Sequence, residues 1–283
     1  AKQPIREAWP MERLIYERSI NLGLALDKST NQTYSSALNS YVTFCDLHRL
    51  ALDPTVDTLS LFVTFMAAHI NPRSVDNYLS GVCSTLEEYY PEVRHNRRSR
   101  LVSRTLRGAK RRYGVPIDRK SPLSRTDLET AAASLPSPRT HDDLLFLAQL
   151  YDGFYGLMRL GELVWPDNTS LRSFDKVIRR TSVIITDSYH SFMLPRHKAD
   201  TSFEGSTIVI QRASPADPHH TFTTYLASRD RLFPFNSSLW LRSDGSIPTR
   251  AWFIARLRAL FPGSISGHSL RAGGATSLAA SGV

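Results

Sequence analysis

Apolar residues recur at three- and four-residue spacing through roughly the first 120 residues, and runs of β-branched residues are rare, so this part reads as helices. The spacing predicts helices over 11–26, 30–49 (with Ser29 or Thr30 as the cap), 57–70, 74–90 and 95–113. Asp53-Pro54, Asn71-Pro72 and Pro91 supply the turns between them. The run GVPIDRKSPLS then breaks the pattern with Gly114, Pro116 and Pro122 and reads as a basic interdomain linker over 114–123. Beyond it, helical spacing returns near 124–134 and 140–157. Three strand-like runs follow, SVIITD, HSFMLP and STIVIQ, and further helices are expected at 217–229, 249–260 and 268–281. The fold class expected is mainly α, with a small antiparallel β-sheet in the second of two domains, 1–113 and 124–283.

Length agrees with that division, because 283 residues exceed the usual size of one domain. No stretch approaches the ~18 apolar residues that would cross a bilayer, so no membrane partner is expected. The opening AKQPIREAWPMERLIYERS mixes acids and bases with no apolar core, unlike a signal peptide, and it does not begin with methionine, as expected of an excised or processed segment. Cys45 and Cys83 each sit in an apolar helical pattern and are expected as buried free thiols in a reducing, intracellular compartment.

Charge adds a direction. The chain carries 35 Lys and Arg against 26 Asp and Glu, a net +9, which favours polyanionic partners if the surplus is clustered. It is clustered in RHNRRSRLVSRTLRGAKRRY. At 100° per residue Val102, Leu106, Ala109 and Tyr113 share one narrow face, and Arg97, Arg100, Arg104, Arg107 and Arg111 share the opposite one. A solvated basic face normally mixes in glutamates for i,i+4 pairing, yet no acid stands between Arg94 and Arg112. Arginine forks suit phosphate oxygens, so this segment, continued by Arg119 and Lys120, is expected to track a nucleic-acid backbone.

Candidate chemistry lies in the second half. Arg159 and Glu162 stand at i and i+3 in YDGFYGLMRLGELVW, where they are expected to share a helix face. Lys198, beside Arg196 and His197, falls between two strand-like runs and is expected on a hairpin, from which a flexible ammonium can reach a neighbouring site. His268 and Arg271 open a final helix of small residues, GHSLRAGGATSLAASGV, at the end that favours an anion. Ala272, Gly273, Gly274 and Ala275 allow that helix to pack closely. The adjacent His219 and His220 lack a third spaced ligand and read as a polar helix start, so no metal is expected. With no CxxC, Walker loop or GxSxG, zinc-site, nucleotide-hydrolase and α/β-hydrolase readings have no motif.

Taken in order, R-x-x-E in GLMRLGEL, a hairpin lysine and H-x-x-R in GHSLR, behind a basic helical lobe, resemble the tyrosine recombinase (phage-integrase-like) family. The resemblance covers nearly the whole chain, and its finer form is a eukaryotic, Crypton-type mobile-element recombinase. It implies a core-binding domain over 1–113 and a catalytic domain over 124–283, together a C-shaped clamp on double-stranded DNA. It implies that Arg159 and Arg271 hold the scissile phosphate, that Lys198 protonates the leaving 5′ oxygen, that His268 assists proton transfer and that Glu162 orients the arginines. It implies no metal or cofactor, a 3′-phosphotyrosyl intermediate, a synaptic tetramer of the full-length protein and, in a eukaryote, a nuclear location. The family's tyrosine nucleophile follows H-x-x-R after a further His or Trp, whereas the sequence here stops at Val283 before either, and Tyr225 precedes the box. The chain is therefore expected to bind DNA and grip phosphate without cleaving, and to self-associate weakly. A catalytically inactive DNA-binding protein on the same fold and a type IB topoisomerase-like enzyme are the alternatives.

Overall fold

The computed structural model describes residues 7–116, 119–196, 200, 204–261, 263 and 265–282, and the contacts divide the chain into two units, Ala1–Ile117 and Asp118–Val283. The described residues of the first unit form six helices: α1 (Met11–Leu24), α2 (Lys28–His48), α3 (Val56–His69), α4 (Pro72–Leu86), α5 (Val93–Arg98) and α6 (Arg100–Tyr113). Short polar side chains start most of them by accepting an otherwise orphaned backbone N–H. Asp27 accepts from Ser29, Thr55 from Thr58, and Asn71 from Arg73 with Pro72 at the first helical position. Asp27 therefore caps α2, not Ser29 or Thr30, and the helix begins two residues earlier than the spacing suggests. The core packs Tyr41 edge-on to Phe62, with Leu59, Val63, Val75, Leu79 and Val82 from α3 and α4 and Val102 and Ala109 from α6. Cys45 and Cys83 are buried free thiols.

The stretch 95–113, expected as one helix, is two. Ser99 leaves the helical region at φ −53°, ψ 153°, and its hydroxyl accepts the N–H of Val102, so it ends α5 and caps α6. Arg97 thus belongs to a different helix from the arginines after it.

The second unit holds α7 (Arg125–Ser134), α8 (His141–Tyr155), α9 (Leu160–Leu163), strands β1 (Ile184–Ile185), β2 (Tyr189–Leu194) and β3 (Ser206–Gln211), then α10 (Pro218–Leu232), α11 (Arg250–Leu260) and α12 (Gly267–Ala280). The sheet is antiparallel in the order β1-β2-β3, with Ile185 opposite His190 and His190 opposite Ile210. The strand expected over SVIITD shrinks to two residues because 180–182 wind into a 3-10 turn at one end, where the Ser182 hydroxyl accepts the N–H of Met193, and the chain turns at the other, where the Thr186 N–H donates to the Tyr189 carbonyl. The chain is thus mainly helical with a small three-stranded antiparallel sheet.

Helix α8 is the axis of this unit. Every residue from Leu145 to Phe154 is buried, and α10 and α12 pack along it. Fully buried Asp152 on α8 meets fully buried His190 on β2, Oδ1 to Nε2, at 3.2 Å, and His190 stacks flat on Phe222 at 4.1 Å. Burial raises the Asp152 pKa, opposed by His190. Buried His219 donates through Nε2 to the Thr186 carbonyl. Helix α12 approaches α8 closely because its inner face is glycine: a Cβ on Gly274 would stand 2.0 Å from the Phe154 carbonyl oxygen, and one on Gly273 2.2 Å from that of Leu123. Ala272 and Ala275, on the outer face, are exposed.

Two stability outcomes follow from these contacts. Gly274→Ala should lower stability by about 2 kcal/mol despite the better helix former, since the clash is with backbone. Gly108→Ala on exposed α6, where a Cβ meets nothing within 4 Å, should raise it by about 0.5–1 kcal/mol, both read by chemical denaturation. Asp143 and Asp230 contribute to the acid limb. Burial alone would raise both, but hydrogen bonds from Thr140 and Arg256 to Asp143, and from Arg180 and Arg229 to Asp230, outweigh it and hold both below the usual carboxylate range. A depressed folded-state pKa gives stability that is present above the unfolded value, about 3.9, and lost as pH falls through the folded one. Melting temperature should fall below about pH 5, and Asp230→Asn should flatten that fall.

Candidate active site and nucleic-acid interface

The path to Arg159 is set by how α8 ends. The N–H of Gly156 returns to the Asp152 carbonyl, Leu157 takes a left-handed φ of 50°, and the N–H of Met158 reaches the Gly153 carbonyl. Helix α8 therefore stops at Tyr155 rather than 157, and Arg159 emerges in extended conformation (φ −78°, ψ 140°) as the residue before α9. Arg159 and Glu162 do not share a helix face as expected. Glu162 grips Arg159 at both ends, its Oε2 accepting the Arg159 backbone N–H at 2.7 Å and its Oε1 accepting Nη1 at 3.0 Å. Glu162 is largely buried and the Arg159 side chain is 37% exposed, so the carboxylate fixes the fork while leaving donors for an anion.

The second half of the site is the first turn of α12. Ser266 caps it, its hydroxyl accepting from the His268 N–H while Ser269 Oγ accepts from the Ser266 N–H. His268 and Arg271 are exposed there, and among the described residues neither side chain has a hydrogen-bond or ion-pair partner. Gly267 is buried against α9: a Cβ there would stand 2.6 Å from Leu160 Cδ2. Leu160 follows Arg159 and His268 follows Gly267, so this contact brings R-x-x-E and H-x-x-R together. Leu270, one turn further, packs on Gly153 of α8.

Lys198 and His197 lie outside the described residues, in the segment that joins β2 to β3. Tyr225 cannot serve as a nucleophile: it is fully buried, its hydroxyl donates to the Leu239 carbonyl at 2.9 Å and accepts from the Leu241 N–H at 2.9 Å, and burial pushes its pKa far up. Among the described residues no cluster of three His, Cys, Asp or Glu could hold a metal, and no helix is long and apolar enough to cross a membrane.

On α6, Arg100, Arg104, Arg107 and Arg111 are exposed opposite buried Val102 and Ala109. Arg97 leaves this set. Its Nη2 donates to Asp76 Oδ1 at 3.0 Å and to the Asp76 carbonyl, and Lys110 reaches the same carboxylate at 3.2 Å. The acid missing from the local sequence is supplied by α4, 21 residues away. Arg119 and Lys120 are exposed. Sequence reasoning also missed Arg125, at the start of α7, whose Nε donates to Ser277 Oγ on α12, and the Asp152–His190 pair; nothing in local spacing marks either.

No family model and no curated protein matches the sequence. Solved structures do match. The XerH site-specific recombinase bound to difH substrate in a pre-cleavage complex aligns with TM-score 0.57 at 13% identity, over 88% of this chain and 68% of that one. A lambda integrase tetramer bound to a Holliday junction aligns at 0.54 and 14%, over 91% and 69%. Lambda integrase bound to DNA aligns at 0.53 and 14%, over 93% and 83%. The chain thus has the fold of these recombinases, the class of protein that its ordered boxes resemble.

Proposed function

We propose that this chain is the DNA-binding, phosphate-gripping body of a site-specific recombinase that breaks and rejoins DNA through a 3′-phosphotyrosyl intermediate. The observation that supports this most is the Gly267–Leu160 contact, which joins Arg159, held by Glu162, to the turn that presents His268 and Arg271. In this reading Arg159 and Arg271 stabilise the charge that gathers on the non-bridging oxygens as a tyrosine oxygen attacks phosphorus. The bond to the 5′ oxygen breaks, Lys198 gives that oxygen its proton, and His268 assists the proton's movement. The exposed arginines of α6, with Arg119 and Lys120, grip the backbone of the duplex. The finer reading, a Crypton-type element whose full-length product forms a synaptic tetramer in a nucleus, belongs to the same proposal.

A second reading, DNA binding without cleavage, draws on Tyr225, whose hydroxyl is committed to Leu239 and Leu241. A nicked duplex bearing the element's end separates the two, comparing this chain with one extended beyond Val283. A covalent adduct in the extended chain alone, lost in its Arg271→Ala variant, is the result expected. Binding without adduct in both chains would leave the second reading standing. Supercoil relaxation without recombinant products would point to a topoisomerase instead. For the interface, Arg104→Ala with Arg107→Ala should weaken duplex binding and reduce the slope of log K against log salt by about two. An unchanged slope removes α6 from the interface.

A further inference from the structure

The basic face of α6 is bordered by a serine with no evident structural duty. Ser103 is exposed, and among the described residues its hydroxyl bonds only to the Arg100 carbonyl of its own helix, at 3.2 Å. Its neighbours differ: Ser99 caps the helix through Val102, and Thr105 is half-buried. Serine is a poor choice for an exposed helical position, because its hydroxyl competes for backbone groups.

What surrounds Ser103 gives it a use. Helical spacing sets Arg100 at i−3 and Arg107 at i+4, both within side-chain reach, with Arg104 adjacent. Arg98 and Arg100 precede it at −5 and −3 in the sequence, a cationic approach of the kind that kinases with acidic docking sites discriminate. The turn that holds it is the first of α6, just after the break at Ser99. That turn contains no acidic residue and sets Arg100 at the positive end of the helix dipole, which offsets part of what the Ser99 cap contributes there.

We propose that Ser103 is a phosphorylation site that switches off the arginine face of α6; this rests on the reading of α6 as a DNA-backbone contact. A nucleoside triphosphate donates its γ-phosphoryl group. The bond from γ-phosphorus to the bridging oxygen breaks, a bond to Ser103 Oγ forms, the hydroxyl proton passes to the kinase's base and the diphosphate leaves. The product carries close to two negative charges and three acceptor oxygens. Arg100 and Arg107 turn onto it, and two of the forks that would hold DNA phosphates are occupied within the helix.

The chain is treated with a basic-directed serine/threonine kinase and ATP, the site is mapped by mass spectrometry, and binding to a random-sequence duplex is followed across salt, with Ser103→Ala treated in parallel. The expected result is phosphate on Ser103, a salt slope lower by about two and binding weaker by roughly tenfold at low salt, with the Ser103→Ala chain unchanged by treatment. Ser103→Glu, with one charge, should show a smaller loss in the same direction. Two results overturn the switch while leaving the interface intact: no phosphate on Ser103, or a phosphorylated chain that binds with the unmodified slope. If the untreated chain binds no duplex, the reading of α6 fails and the switch with it.

Discussion

The second unit depends on the absence of two methyl groups. Gly273 and Gly274 let α12 rest on the carbonyls of Leu123 and Phe154 at distances no side chain could share. Phe154 ends the buried run of α8, and the turn that delivers Arg159 begins two residues later. The same approach thus sets where α12 begins, and therefore where His268 and Arg271 stand. Helix-interior glycine costs about 1 kcal/mol relative to alanine; here that cost secures a fixed separation between two short motifs that lie more than 100 residues apart in sequence.

Such a separation matters because cations that stabilise a transition state act through preorganisation. Glu162 does this for Arg159 by holding its backbone and its guanidinium at once, a two-point grip that leaves little freedom at the tip. Ser266 and Ser269 do the equivalent for the first turn of α12 by tying up its loose backbone groups.

How much was legible in the sequence follows the range of the interactions. The helical content, the positions of β2 and β3 and the arginine stripe from Arg100 to Arg111 are short-period signals, and they survive in the structure. Helix starts shifted wherever a cap one or two residues away was the better acceptor, as with Asp27 ahead of Ser29. The break at Ser99 was hidden because arginines on both sides continue the same periodicity. The pairing of Arg97 with Asp76 was hidden because the two are neighbours only in space. The relation of Arg159 to Glu162 was right in spacing and wrong in geometry, since the left-handed turn at Leu157 has no glycine to announce it. The Gly267–Leu160 contact that unites the two boxes is wholly tertiary, and no periodicity encodes it.

The Asp152–His190 pair has a consequence for how the sheet finds its alignment. Apolar side chains are interchangeable enough that a strand displaced along its neighbour can often bury something of similar size. A carboxylate and an imidazole cannot be satisfied that way, because each would be left in oil without a partner if β2 moved by one position, and that residue parity would also turn His190 to the other face. The pair therefore works as a registration mark, making the wrong alignments of β2 expensive while adding little to the depth of the right one.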